Sequence, residues 1–352
     1  MTIIEEKSFS KATRELSSDS NNLYEQKFEE SLRPQFFSDY VGQKKHLENL
    51  MVMAKAAKAR DEAMDHCLLF GPPGLGKTTL ATIIAKEMGR NLFVTSGPAL
   101  EKKGDLAGIL TALKKGDVLF IDEIHRLNPI IEENIYPAME EFRFDIVLGE
   151  GAHARIMPLK LEPFTLVGAT TKTGLLTSPL RDRFGFSARL DYYDVQELAQ
   201  IVKRSAKILK VSIDDEASAE IARRSRGTPR IANRLLKRMR DFAQVLSNGY
   251  IDKELTQKAL KSLGVDEHGL DTIDNRILEL LCTLNSGAPL GIDTISASLS
   301  ESSSTIEDVY EPYLLQQAYI IRTPRGRQAT KKAYEHLGLD YSQGKHQGTL
   351  GL

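Results

Sequence analysis

Short unbroken apolar runs alternate with periodic amphipathic stretches through the first half of the chain. Cys67-Leu68-Leu69-Phe70, Leu92-Phe93-Val94-Thr95, Asp117-Val118-Leu119-Phe120-Ile121-Asp122-Glu123 and Phe164-Thr165-Leu166-Val167-Gly168-Ala169-Thr170-Thr171 predict strands of a buried parallel sheet. Between them the 3.6-residue period predicts helices over Gln43–Arg60, Leu80–Glu87, Leu106–Leu113 and Ile130–Met139. Asn128-Pro129 supplies the N-cap and N1 residues of the last, and Pro137 inside it predicts a kink or an early stop. Two β-like runs, Phe142–Leu148 and Ala154–Leu159, flank Gly149-Glu150-Gly151 and predict a hairpin. From Asp194-Val195-Gln196-Glu197, a capping-box start, to about Leu263 the pattern is helical throughout. Thr228 as N-cap and Pro229 at N1 place Arg230 in a helix's first turn. Beyond Asp271 come helices at Ile277–Leu281, Ile292–Leu299 and Ser303–Gln317, the last bent at Pro312, and then strand, turn and strand through Ala318–Thr330. Three helices and a hairpin describe a winged helix.

The expected fold is therefore α/β: a phosphate-loop domain with a parallel sheet, a small helical domain, and a C-terminal winged-helix domain. The expected limits are a flexible extension over 1–30, centred on Ser17-Ser18-Asp19-Ser20-Asn21-Asn22, then 31–193, 194–266 and 267–352. A chain of 352 residues has room for such a set of cores. Its net charge of −1 neither demands nor excludes nucleic acid, so any basic surface must be local. Cys67 and Cys282 stand far apart in apolar runs, which reads as core thiols in a reducing compartment and predicts no zinc. No apolar run is long enough for a membrane span, and the polar, acidic N-terminus is unlike a signal peptide; the expected location is the cytoplasm.

Chemistry concentrates after the first strand. Gly71-Pro72-Pro73-Gly74-Leu75-Gly76-Lys77-Thr78-Thr79 fits GxxxxGK[ST], with a strand before it and a helix after it. Its glycines turn backbone N–H groups inward on phosphate oxygens, Lys77 adds charge for the β- and γ-phosphates, and the Thr78 hydroxyl suits magnesium. Asp122 ends a strand of the same sheet and can hold the Mg²⁺ shell; Glu123 can polarise a water. Thr170 and Thr171 bring hydroxyls to the same sheet edge. The aromatic segment after Leu32-Arg33, Phe36 to Tyr40, either closes over an adenine or straps the core, and composition does not choose. Arg181, Arg183 and Arg230 read, on pattern alone, as surface charges. Arg322, Arg325, Arg327, Lys331 and Lys332 lie on or beside the wing with no acidic residue among them, which suits a DNA phosphate backbone.

Taken in order, GPPGLGKTTLA, VLFIDEIHRL, TLVGATTKTGLLTSPLRDRFG, RGTPRIANRLLKR and IEDVYEPYLLQQAYIIRTPRGR resemble the RuvB family of bacterial Holliday-junction branch-migration motors, a group of AAA+ ATPases. The resemblance spans Leu32 to Leu337. It implies ATP hydrolysis with Mg²⁺, coupled to translocation of duplex DNA in homologous recombination and repair. It implies a homohexameric ring and two partners, the junction-binding protein RuvA and the resolvase RuvC. By resemblance, Gly74, Gly76, Lys77, Thr78 and Thr79 hold the phosphates, while Asp122 and Glu123 are the acidic pair. Thr170 and Thr171 form the sensor-1 segment, Thr171 acting in catalysis. Arg183 is an arginine finger for the neighbouring subunit and Arg230 the sensor-2 arginine. Leu32, Arg33 and Tyr193 contact nucleotide, and Arg322 and Arg327 contact DNA, with Arg325 joining them as a DNA candidate by its charge on the wing. The hairpin, through Ile146 and Val147, docks on RuvA.

Two other functional classes compete. A clamp-loader-like switch carries Ser-Arg-Cys at the finger, where this chain has Ser178-Pro179-Leu180-Arg181-Asp182-Arg183. A winged-helix regulator using ATP only as a conformational ligand has no use for the water-activating Glu123.

Overall fold

The computed structural model describes residues 28–148 and 155–341. The expected N-terminal extension up to residue 27, the hairpin turn at 149–154 and the tail from 342 lie outside the described residues, as does the side chain of Val147. The chain divides into two compact units, one running to Tyr193 and taking in Arg204–Lys210, the other formed by Asp194–Lys203 and the residues from Val211 onward.

In the first unit five strands form one parallel sheet: β1 (Cys67–Phe70), β2 (Leu92–Ser96), β3 (Val118–Asp122), β6 (Thr165–Thr170) and β7 (Phe186–Arg189), in the order β2-β3-β6-β1-β7. β4 (Arg143–Leu148) and β5 (Arg155–Lys160) form a separate antiparallel hairpin, Ile146 opposite Met157. Helices α1 (Lys44–Arg60), α2 (Lys77–Met88), α3 (Lys103–Ala112), α4 (Pro129–Glu140) and the short α5 (Ser178–Asp182) belong to the same unit. All of β6 and the first four residues of β3 are buried, as strands covered on both faces must be. Gly168 in β6 is there for space: a Cβ would stand 2.9 Å from Phe184 and 3.0 Å from Ile124. Asn128 caps α4 as predicted, its side chain accepting from the Ile130 N–H at 2.8 Å. Pro137 neither stops nor shortens that helix, which continues to Glu140. β7 was not predicted; only Ala188 of its four residues is buried, so it carries no apolar run.

The second unit holds α6 (Val195–Ile208), whose end from Arg204 belongs with the first unit, α7 (Asp215–Arg223), α8 (Pro229–Leu246) and α9 (Lys253–Ser262), with a two-residue parallel pair β8 (Ser212–Ile213) and β9 (Tyr250–Ile251). The predicted capping box is present: the Glu197 N–H donates to Asp194 at 2.7 Å and the Asp194 N–H to Glu197 at 3.2 Å. Thr228 stands at the N-cap of α8, but its hydroxyl donates to the Ser225 carbonyl at 3.2 Å instead of capping. The winged helix follows: α10 (Thr272–Thr283), α11 (Ile292–Leu299), a bent run of α12 (Ser303–Thr305), π turn (Ile306–Tyr310) and α13 (Glu311–Gln316), then β10 (Ile320–Thr323), β11 (Gly326–Ala329) and α14 (Lys331–His336). The bend expected at Pro312 takes the form of that π turn, with the Glu311 N–H bonded back to Ile306; widening the turn just ahead of the proline relieves its ring of the clash a regular helix would impose. Leu290 and Arg327 exchange both backbone hydrogen bonds at 2.8 Å, adding a third, one-residue strand to the wing.

Asp117 stands just before β3 and organises the opposite end of the sheet. It is 2% exposed and accepts from the Asn91 backbone and side chain at 3.1 and 3.2 Å and from the Lys114 N–H at 2.9 Å. Asp117→Ala strands these donors, each costing about 1–3 kcal/mol when left unpaired in the interior. After relaxation the expected loss is about 2–4 kcal/mol, read as a lower urea midpoint for the first unit at unchanged m. An unshifted midpoint would show that the carboxylate holds nothing in place.

Candidate nucleotide site and basic wing

β1, β3 and β6 end side by side, so their C-terminal residues meet at one edge. The loop leaving β1 turns through left-handed glycines: Gly71 at φ 137°, Gly74 at 78° and Gly76 at 99°. A Cβ on Gly71 would lie 2.4 Å from the Leu190 carbonyl oxygen, and one on Gly76 2.9 Å from the Tyr40 hydroxyl, so both need glycine for space as well as for torsion. Lys77 begins α2 and is 8% exposed, its ammonium donating to the carbonyls of Gly71 at 2.8 Å and Pro72 at 2.9 Å. Burial pushes its pKa down to about 8, against an opposing pull from Asp122. Thr78 and Thr79 follow in the helix's first turn.

Asp122 closes β3, and one of its oxygens accepts from the Glu123 N–H at 2.9 Å. Glu123 sits at φ 47°, an uncommon conformation for a side-chain-bearing residue, and its carboxylate pairs with Arg126 at 2.9 Å. Gly97 accommodates that backbone; a Cβ there would meet the Glu123 carbonyl oxygen at 2.5 Å. At the end of β6 the two threonines part. Thr170 is buried, lies 2.9 Å from His125 Nδ1 and accepts from the Lys172 N–H at 2.9 Å; Thr171 is exposed beyond the strand end.

The segment from Leu32 to Tyr40 is a strap pinned to the core. Leu32, Phe37 and Tyr40 are buried, and Arg204 donates to the carbonyls of Leu32 at 2.6 Å and Asp39 at 3.0 Å. With its side chain at 0% exposure, Leu32 can offer a nucleotide only its backbone. Tyr193 Oη lies 2.8 Å from Tyr40 Oη and 3.2 Å from the Leu75 carbonyl oxygen, so the two tyrosines brace the phosphate loop from behind. Arg33 is half-buried at the start of the strap.

Arg183 follows α5, its guanidinium carbon 4.4 Å from the centre of the Tyr136 ring, and donates to the Pro179 carbonyl at 2.8 Å and to Glu140 at 3.2 Å. Arg181 is exposed and makes no side-chain bond among the described residues. In the hairpin, Ile146 leans on the core of the first unit, whereas Ile156 and Met157 on the facing strand are 69% and 47% exposed. In the second unit Arg230 stands exposed in the first turn of α8.

The wing arginines differ from the sequence expectation in having acidic partners. Arg322 makes a two-pronged pair with Glu311, both bonds 2.8 Å, and Arg327 donates to Glu311 at 2.9 and 3.1 Å and to Glu307 at 2.6 Å. Glu311 is 1% exposed; burial alone would raise its pKa, but the two arginines hold it below the ordinary value. Arg325, at the exposed turn, makes no ion pair among the described residues. Sequence reasoning missed the roles of His125, Arg204 and the two glutamates, and left Tyr40 between two readings. His125, Glu307 and Glu311 stood inside motifs already singled out, but nothing in their spacing, or in that of Arg204, announced their contacts.

Three domain families match successive parts of the chain: the Holliday junction DNA helicase RuvB P-loop domain over residues 32–190, the RuvB AAA lid domain over 193–266, and the RuvB C-terminal winged helix domain over 267–338. The solved structure of the Thermotoga maritima RuvB Holliday junction branch migration motor is 49% identical over 88% of this chain and 99% of its own, with a TM-score of 0.80. A lysine-to-arginine mutant of the same protein gives 50% identity, the same coverage and a TM-score of 0.81. With a phosphate loop, an acidic strand end and a winged helix matched in order over nearly its whole length, this chain belongs to the RuvB family, the AAA+ ATPases that drive branch migration of Holliday junctions.

Proposed function

We propose that this protein works as a homohexameric ring that hydrolyses MgATP to pull duplex DNA through a Holliday junction held by RuvA, acting in the cytoplasm and passing junctions to RuvC. The observation that carries the reading is the meeting of Lys77, Thr78, Asp122, Glu123 and Thr170 at one sheet edge. The domain limits that go with it are 31–193, 194–266 and 267–352.

The donor set fits a magnesium ion. The Thr78 hydroxyl and the second oxygen of Asp122 accept no hydrogen bond from the described residues, and both are hard oxygen ligands of the kind that leave room for phosphate and water. Bound there, Mg²⁺ would neutralise charge on the β- and γ-phosphate oxygens. The loop N–H groups and Lys77, released from its two carbonyls, grip the same phosphates. Glu123, freed from Arg126, takes a proton from water as the water oxygen bonds to the γ-phosphorus and the bond to the β-phosphate oxygen breaks, giving ADP and phosphate. Thr170, with His125, holds the sensor position beside the attacking water, and Thr171 marks where the strand ends. Arg230 supplies the lid's charge. Arg183, leaving Glu140, would reach the γ-phosphate of the next subunit. On the hairpin the exposed Ile156 and Met157 suit an apolar partner surface better than Ile146, and they are the side chains we assign to RuvA docking together with Val147.

Glu123→Gln is expected to bind ATP and turn it over at least about 100-fold more slowly, the scale of a lost general base, while Lys77→Ala binds poorly. Arg183→Ala alone should hydrolyse little, and mixing it with Lys77→Ala should restore activity with a steep dependence on total protein concentration. Near-normal turnover by Glu123→Gln, or an inactive mixture in verified mixed rings, would remove these assignments.

Lys77 gives a pH signature. Its value of about 8 in the free loop lies below the ordinary 10.5, and phosphate favours the charged form. Above pH 8, ATP binding must therefore take up a proton, and affinity should fall by up to about tenfold per pH unit. The sign for folding is opposite. Between pH 8 and 10.5 the unfolded chain binds the extra proton, so nucleotide-free stability rises with pH. Calorimetry in buffers of different ionisation enthalpy measures the uptake; none at pH 9 would contradict the assignment.

The wing arginines should separate in a salt titration of DNA binding. Arg325→Ala removes an unpaired charge, and the log–log slope should drop by about 0.9. Arg327, 14% exposed and already paired, should change the slope less and lower stability more. Equal slope changes would show that DNA strips Arg327 from Glu311 and Glu307.

A further inference from the structure

Between the helical domain and the winged helix the chain forms a buried ionic joint. Arg226, 8% exposed and held at φ 51°, stands four residues before Arg230. Its guanidinium pairs with Asp271 at 2.9 Å and with Asp274, donates to the Gly269 carbonyl at 2.8 Å and lies over the Tyr313 ring at 5.5 Å. Asp271 is also the N-cap of α10, accepting from the N–H groups of Ile273 and Asp274, and Asp274 accepts from the Asp271 N–H. The connection itself is packed rather than loose. Arg224 donates to the Val265 carbonyl at 3.2 Å, and Gly269 passes so close that a Cβ would stand 2.9 Å from the Arg224 carbonyl oxygen. Asp266 accepts from the N–H groups of His268 and Leu270 and from Asn275, and lies 3.1 Å from His336. Tyr313 donates to the His268 carbonyl at 2.8 Å.

These contacts run without a gap in one direction. On one side Gly227-Thr228-Pro229 lead from Arg226 into the first turn of α8, with Thr228 bonded back to Ser225 and Pro229 fixing its own φ. On the other side the two aspartates open α10, and Tyr313 lies two residues past Glu311, the carboxylate that holds Arg322 and Arg327. We propose that the Arg226–Asp271–Asp274 cluster is the rigid joint that carries a change at the first turn of α8 to the basic wing, with Arg226 the positioning residue that couples ATP turnover to DNA movement. This rests on the sensor and wing roles proposed above. A buried guanidinium that shares one terminal nitrogen between two carboxylates and gives its Nε to the Gly269 carbonyl resists bending as a single contact would not, and a contiguous packed chain is the physical form such coupling takes. Asp274 is 0% exposed, and burial pushes its pKa up to about 7 against the opposing pull of Arg226, so its ionised form depends on that partner.

The test removes the joint's charges together, because Arg226→Met alone would leave two buried carboxylates without a counter-ion. In the full-length triple variant R226M/D271N/D274N, asparagine at 271 keeps the helix cap. Its ATPase rate and its affinity for duplex DNA are expected within about twofold of wild type, a margin below 0.5 kcal/mol. RuvA-dependent branch migration of a synthetic four-way junction, per ATP hydrolysed, is expected to fall at least tenfold. Unchanged migration per ATP would overturn the proposal. Loss of the sensor or wing roles would be seen separately, as Arg230→Ala without effect on ATPase or Arg322→Ala without effect on DNA affinity. A second measurement needs no variant: in wild-type protein the amides of Asp266, Gly269, Leu270, Ser225 and Thr228 should exchange with solvent as one protected group, with and without ATP. Fast exchange at Gly269 and Leu270, as from a free linker, would likewise overturn it.

Discussion

A single buried strand fixes the spacing at the nucleotide edge. Because β6 is inserted between β1 and β3, the phosphate loop and the acidic strand end stand two strand spacings apart, about 10 Å, with Thr170 between them. That gap has room for the phosphates of a bound nucleotide. β6 can occupy the position only because it is buried on both faces and because Gly168 leaves room for Phe184 and Ile124. A larger residue at 168 would therefore act on the chemistry at a distance, by spreading the two catalytic edges.

The same edge shows what a linear sequence discloses. The strands carrying chemistry were legible because burial on both faces writes a continuous apolar run, and the phosphate loop because its glycines meet a local steric demand. Strand order was not legible: the crossovers that put β6 between β1 and β3 leave no mark on the residues themselves. β7 was missed because an edge strand with one buried residue has no apolar run to detect. Arg183 was named on resemblance, but its resting place over Tyr136 and beside Glu140 depends on the docking of α4 against α5, separated by 43 residues from arginine to glutamate.

The wing corrects a habit of reading charge by neighbourhood. Five basic residues with no acidic one among them suggested an open cationic surface, yet Glu307 and Glu311 arrive from the preceding helix through a π turn. A buried carboxylate under two arginines sets their direction and spacing before any ligand comes. The unpaired charge is concentrated at the turn, on Arg325. The result is a wing with a shaped rim and a neutralised base.

The resting position of Lys77 bears on how fast a motor can cycle. Its ammonium is satisfied by the carbonyls of Gly71 and Pro72, so on the function proposed above a phosphate would compete with two hydrogen bonds. The free energy of capture would then be a small difference between two well-bonded states. Release would follow the reverse exchange, the carbonyls of Gly71 and Pro72 taking the lysine back. Tight grip and rapid release usually oppose each other, and a loop that offers its lysine an internal substitute narrows the distance between them.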